Sequence, residues 1–184
     1  MLSQDEVQRV QKFKNETARK TYLCSRLAMR RLFSSYLKQP ASELKFNTTQ
    51  QGKPFLADYT TELKFNLSHS GELILLAVSP SLELGIDVEQ HKPIQNWKKI
   101  ASKVFDAQTI DILKQKKDPE TAFIKAWTEF EAREKLLGQG IFGYKTAVNK
   151  KTAWEIMRIE DFEASLCYFQ ETKKPRICLF NYIK

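Results

Sequence analysis

Asp87 and Glu89 stand two residues apart in Leu84-Gly85-Ile86-Asp87-Val88-Glu89, a stretch that alternates in the manner of a β-strand. Alternation sends both carboxylates to one face and Leu84, Ile86 and Val88 to the other. Two carboxylates at that spacing repel each other, and a hard divalent cation removes the repulsion while gaining oxygen ligands. The same pattern also suits an edge strand that turns its polar face to water. Glu131 and Lys135 form a second pair, one helical turn apart with the acid first, which on an open surface contributes about 0.3 kcal/mol. Trp127 and Phe130 adjoin them, so Glu131 falls at the margin of an apolar stripe, where a carboxylate needs a metal or Lys135 as partner. His69 lies in Asn66-Leu67-Ser68-His69-Ser70-Gly71, of which Ser68 to Gly71 has turn composition, and Lys53 precedes Pro54 in a second turn, Gln51-Gly52-Lys53-Pro54. Each residue alone is equally at home as plain structure or solvated surface. Their combination and order are the informative features.

The elements that must position these residues follow from periodicity. Residues 17–37 place Leu23, Leu27, Leu32, Phe33, Tyr36 and Leu37 close to a 3.6 period, and Gln39-Pro40 ends that helix. Strands are expected at 63–67, 73–78 and 84–89, and short turns between them make an antiparallel meander the simplest arrangement. Helical pattern returns at 97–105 and 109–113. Asp118-Pro119 then opens a longer helix through Phe123, Trp127 and Phe130 to Leu137, with Gly138 as its C-cap. A loop with Gly138, Gly140 and Gly143 leads to strands at 154–159, 164–169 and 176–182, the last hairpin turning at Glu171-Thr172-Lys173-Lys174. Helix followed by strands occurs twice. The expectation is one α+β unit over 1–184, with two similar halves, about 1–89 and 90–184, packed face to face in a pseudo-two-fold relation.

Composition limits the alternatives. A chain that is 42% hydrophobic and 28% charged over 184 residues is an ordinary globular protein. No apolar run approaches the ~20 residues that span a bilayer. The start, Met1-Leu2-Ser3-Gln4-Asp5-Glu6, lacks the basic and apolar regions of a signal peptide, so a cytoplasmic protein is expected. Cys24, Cys167 and Cys178 are odd in number and far apart, which reads as free thiols in a reducing compartment. The net charge of +8, with lysines clustered at 98, 99 and 103, at 114, 116 and 117, and at 150 and 151, suits nucleic acid, an anionic membrane, a phosphate-rich ligand or an acidic protein.

With these residues together, the chain resembles the 4′-phosphopantetheinyl transferases of the surfactin-synthetase type, single chains with two similar halves. The resemblance rests on Gly52-Lys53-Pro54, Phe65-Asn66-Leu67-Ser68-His69-Ser70-Gly71, Gly85-Ile86-Asp87-Val88-Glu89 and Trp127-Thr128-Glu129-Phe130-Glu131-Ala132-Arg133-Glu134-Lys135, in that order. It implies a Mg²⁺-dependent holo-[acyl-carrier-protein] synthase, a transferase that moves the 4′-phosphopantetheine of coenzyme A to a serine of an apo acyl or peptidyl carrier protein and releases 3′,5′-ADP. Under that resemblance Asp87, Glu89 and Glu131 hold the metal. Lys135 contacts the pyrophosphate and helps the leaving group depart. Lys53 and His69 bind the 3′-phosphate or adenosine end, and Ser68 and Pro54 line that pocket. Arg19 and Lys20 align loosely as further phosphate contacts. Glu131 or a metal-bound water is the base for the carrier serine. The expected partner is an acidic carrier protein, which gives the +8 charge a purpose, with no nucleic acid or membrane, and the chain is expected to act as a monomer. Phe130 departs from the pattern, since the family usually has lysine there. A silenced carrier-binding or coenzyme-binding relative, or a small basic nucleic-acid-binding protein, are the competing readings.

Overall fold

Ser3 opens the first helix, α1 (Gln4–Gln11), with a capping box: its hydroxyl accepts from the Glu6 amide while the Glu6 carboxylate accepts from the Ser3 amide. Glu6 is buried against α2 (Glu16–Leu37), where Arg30 Nε donates to it at 2.6 Å and Arg30 Nη1 donates to the Leu44 carbonyl. Arg30, at 1% exposure, thereby ties both helices to the segment that follows. α2 begins at an Asn15 cap and stops at Lys38 in the left-handed region, φ 53°, where Gln39-Pro40 predicts its end. The computed structural model describes residues 2–50, 52–57, 61–138, 150–170 and 176–178.

Two hairpins cover α2. β1 (Phe46–Thr48) and β2 (Pro54–Leu56) pair antiparallel across a turn in which Gly52 takes φ 84°. β3 (Lys64–Ser70) and β4 (Leu73–Ser79) pair antiparallel across Gly71. Met29, Phe33, Leu44 and Phe65 form the first core, with the Phe33 and Phe65 rings 4.7 Å apart. β5 (Leu84–Gln90) then enters a second group: α3 (Trp97–Val104), α4 (Ala107–Lys114), α5 (Pro119–Leu137), β6 (Thr152–Ile159) and β7 (Phe162–Phe169). Its sheet has the antiparallel order β5-β7-β6. Trp97, Ala101, Leu113 and Phe123 make the core between the helices, and Ala132, Leu136 and Cys167 join α5 to the sheet. Among the described residues no helix is long and apolar enough to cross a membrane.

The α+β class and the helices expected over 17–37, 97–105, 109–113 and 118–137 are present, and α1 is added before them. α5 shows both predicted caps, since Asp118 accepts from the Thr121 amide and Gly138 is left-handed at φ 67°. Two expectations need correction, and two short strands were not expected. β5 does not continue a meander with β4; its ladder is with β7, from Leu84↔Tyr168 to Gln90↔Phe162. Ser68 to Ser70 is strand, not turn, because both serines bond to carboxylates of β5 and leave only Gly71-Glu72 for the hairpin. β1 and β2, three residues each, have too little pattern to be read in advance. Gln51, the loop with Gly140 and Gly143, the turn at 171–174 and most of the strand expected at 176–182 lie outside the described residues.

Gly85 sets how closely α5 lies on β5. A Cβ there would fall well inside the Ala132 carbonyl oxygen and the Leu136 amide nitrogen, with the Leu136 Cα at 3.0 Å. Backbone on a packed helix cannot yield to a methyl group. Gly85→Ala should therefore cost about 3 kcal/mol or more. That loss corresponds to a melting temperature lower by roughly 6–12 °C. A thermal melt within about 2 °C of the parent, under 1 kcal/mol by the same conversion, would contradict this seat for α5.

Candidate active site

β5 presents Gly85, Asp87 and Glu89 on the face that α5 covers, and β3 lies along its open edge. The two strands run in the same direction, because Asn66, Ser68 and Ser70 meet Ile86, Asp87 and Glu89 in turn. Ser68 Oγ donates to Asp87 Oδ1 at 2.9 Å, Ser70 Oγ donates to Glu89 Oε2 at 2.9 Å, and Asn66 Oδ1 accepts from the Ile86 amide at 2.9 Å. α5 supplies the cation. Lys135 Nζ lies 2.6 Å from Asp87 Oδ1, donates to Ser68 Oγ at 2.9 Å and stands 3.9 Å from Glu131 Oε2. Thr128 and Ser165, both fully buried and 3.0 Å apart, fasten α5 over the sheet.

The predicted metal and catalytic residues, Asp87, Glu89, Glu131 and Lys135, thus share one face of β5 and one side of α5. The simple surface readings fail. Asp87 is 2% exposed, so β5 is no edge strand with a polar face in water. Its replacement would also strip Lys135 and Ser68 of a partner, a loss that reaches beyond any ligand role.

Asp87, Glu89 and Glu131 gather about Lys135, and the imbalance shows in the proton affinities of the two glutamates. Burial, together with the charges of Asp87 and Glu89, pushes Glu131 up to about 8 despite Lys135. Burial also raises Glu89, against the pull of the Ser70 hydrogen bond. Asp87 Oδ2 is buried without a hydrogen-bond partner. An orphaned carboxylate oxygen beside two acids that resist ionisation is the donor set a hard divalent cation fits. As the side chains stand, no three His, Cys, Asp or Glu groups among the described residues converge into a formed metal cluster.

Of the residues expected at the adenosine end, Ser68 belongs to this set, and His69, Pro54 and Arg19 do not. His69 is on the opposite side of β3 from Ser68 and is exposed. Ser68 sits between Asp87 and Lys135. Pro54 begins β2. Lys53 Nζ donates to two backbone carbonyls, Lys135 O at 3.2 Å and Leu84 O at 3.4 Å. Arg19 is an exposed partner of Glu16. Phe130 packs edge-on against Phe105 at 5.8 Å and beside Trp127 at 5.9 Å. Asn66 and Ser70 received no role in advance, although their spacing of two matches that of Asp87 and Glu89.

Two family models match the chain: 4′-phosphopantetheinyl transferase, N-terminal, over residues 1–81, and the 4′-phosphopantetheinyl transferase superfamily over residues 83–180. The chain is 33% identical over 144 residues to the 4′-phosphopantetheinyl transferase HetI of Nostoc sp., covering 76% of this chain and 61% of that protein. It is 32% identical over 162 residues to a phosphopantetheinyl transferase of Thraustochytrium sp., covering 79% and 56% respectively. The chain therefore spans about three fifths of the length of the curated relatives it matches.

A carboxylate raised on folding weakens the fold as it ionises. The folded state keeps a proton on Glu131 that the unfolded chain has already lost above its ordinary value of 4.5. The stability this proton contributes is complete below that value and is lost as pH rises to about 8. In chelator, the protein should melt at progressively lower temperature as pH rises through this window. Glu131→Gln should flatten the slope and melt higher at its alkaline end. A parental profile in Glu131→Gln would remove Glu131 from the charged set.

Proposed function

This chain belongs to the 4′-phosphopantetheinyl transferase superfamily, and from that premise we propose that it transfers 4′-phosphopantetheine from coenzyme A to a serine hydroxyl of an apo acyl or peptidyl carrier protein. The carrying observation is the convergence of Asp87, Ser68 and Lys135 within hydrogen-bond distance, from three elements, beside Glu131. In the reaction the serine oxygen bonds to the β-phosphorus of coenzyme A and the phosphorus–oxygen bond to 3′,5′-ADP breaks. The Lys135 ammonium stands ready to stabilise the negative charge that grows on the leaving oxygen. Glu131, one helical turn from Lys135 and beside Asp87, is the carboxylate placed to accept the serine proton. Ser68 holds Lys135 and Asp87 in fixed relation to each other.

Asp87, Glu89 and Glu131 would hold Mg²⁺, which when bound offsets the charge of the coenzyme pyrophosphate. His69 and Pro54 belong to the adenosine end of the coenzyme in this reading. The surfactin-synthetase subclass is supported by the order of the four motifs and by both lobes being in one chain. That one chain supplies strand and helix alike favours a monomer. Free Cys24, Cys167 and Cys178 favour a reducing, cytoplasmic setting. The +8 charge favours an acidic carrier.

Intact mass spectrometry of an apo carrier protein, incubated with this protein, coenzyme A and Mg²⁺, tests the reading. A gain of one phosphopantetheine is expected, lost in chelator and reduced roughly 10²–10³-fold in Asp87→Ala, the scale of losing a preorganised charge-stabilising group. Normal turnover by Asp87→Ala would sink the metal assignment. No gain on several different carriers, despite measurable binding of coenzyme A, would point to a silenced relative.

A further inference from the structure

Lys53 sits on the β1–β2 turn, far from α5 in sequence and against it in space. The turn is rigidly tied: the Thr49 amide donates to the Lys53 carbonyl, the Lys53 amide to Thr49 Oγ1, and the Gly52 amide to the Thr49 carbonyl. From there the Lys53 side chain reaches the carbonyl oxygens of Lys135 at 3.2 Å and Leu84 at 3.4 Å. The first is in the last turn of α5, where carbonyls have no partner within the helix and carry its partial negative charge. The Gly138 amide takes the Glu134 carbonyl. The only basic side chain of that last turn, Lys135 itself, is directed at Asp87. Lys53 therefore supplies the cation that the helix end does not provide for itself. The second carbonyl belongs to the first residue of β5, on the edge that β7 leaves open. One ammonium is thus fixed to the end of the helix that carries Lys135 and to the beginning of the strand that carries Asp87.

We propose that Lys53 is a positioning residue, a long-range cap that sets Lys135 against Asp87 by joining α5 to β5. Its partly buried ammonium, lowered below the usual lysine value by that burial, supports an enclosed role. The two carbonyls take two of its three N–H donors. The kinetic consequence rests on the transferase reading above; the cap itself does not.

Two measurements on Lys53→Met separate the possibilities, with Lys64→Met as the control that removes equal charge from the surface pair Lys64–Glu83. Hydrogen exchange at amides 136–138 should accelerate about tenfold in Lys53→Met, as expected for local opening of a helix end, and stay at the parental rate in Lys64→Met. In the transfer assay kcat should fall on the order of tenfold through misplacement of Lys135. KM for coenzyme A and the preference for coenzyme A over its 3′-dephospho form should be unchanged. Lys53→Gln, which keeps one N–H donor, should lie between, and it carries the test if Lys53→Met does not fold. Parental exchange at 136–138 would overturn the cap. So would a raised KM together with a lost preference for the 3′-phosphate. An inactive parent that still shows the exchange difference would sink the transferase reading and leave the cap standing.

Discussion

The backbone of β5 is laddered on one edge only, to β7, and on its other edge side chains take the place of a strand. The captured groups are the Leu84 carbonyl, the Ile86 amide and the Gln90 amide, bound by Lys53, Asn66 and Ser70. They belong to every second residue, which is the set an antiparallel neighbour leaves free on the far edge. A backbone ladder would have closed this edge with uniform amides and carbonyls. Side chains closed it with an ammonium, an amide and a hydroxyl, and that hydroxyl, Ser70 Oγ, also donates to Glu89. The two lobes of the chain therefore meet at a seam already polar on both sides, and the candidate site is built into that seam.

The seam explains why a costly charge arrangement persists. Burying carboxylates without matching cations is unfavourable, and the elevated Glu131 and Glu89 express that cost. It is contained by local hydrogen bonds: Ser68 and Lys135 share Asp87 Oδ1, and Ser70 holds Glu89. The Oδ2 of Asp87 is left over. α5 cannot lift away to let water relieve the repulsion, because Gly85, Thr128–Ser165 and the Ala132–Leu136–Cys167 core hold it on the sheet. A site that stays under-neutralised is prepared for added positive charge at the cost of stability without it.

How much of this was legible in the sequence depended on the range of the interaction. Local chemistry was readable: Asp118-Pro119 and Gly138 bound α5, and alternation put Asp87 and Glu89 on one face. Pairing across distance was not. Nothing near residues 84–89 says that their ladder partner lies at 162–168, so adjacency suggested β4. Ser68-His69-Ser70 has the composition of a turn because serine hydroxyls favour turns when no other partner is near. Here carboxylates nineteen residues on are the stronger partners, and the segment extends. The missed pointer was the shared period of two in Asn66/Ser68/Ser70 and Gly85/Asp87/Glu89. Two strands with polar residues at matching spacing are complementary along a seam.

Phe130 shows how the same geometry bears on the one departure from the family pattern. Successive helical residues point about 100° apart, so position 130 cannot face the side that Glu131 and Lys135 share. It falls in the row of Phe123 and Trp127, on the side of α5 that packs against α3 and α4. Its ring meets Phe105, the residue that closes α3, and extends an aromatic core that already joins Trp97, Phe123 and Trp127. A ring here strengthens the contact that presses α5 inward from behind, while Thr128, Ala132 and Leu136 hold it in front. Losing a lysine at this position subtracts no group from the set around Asp87. The departure is thus accounted for by packing.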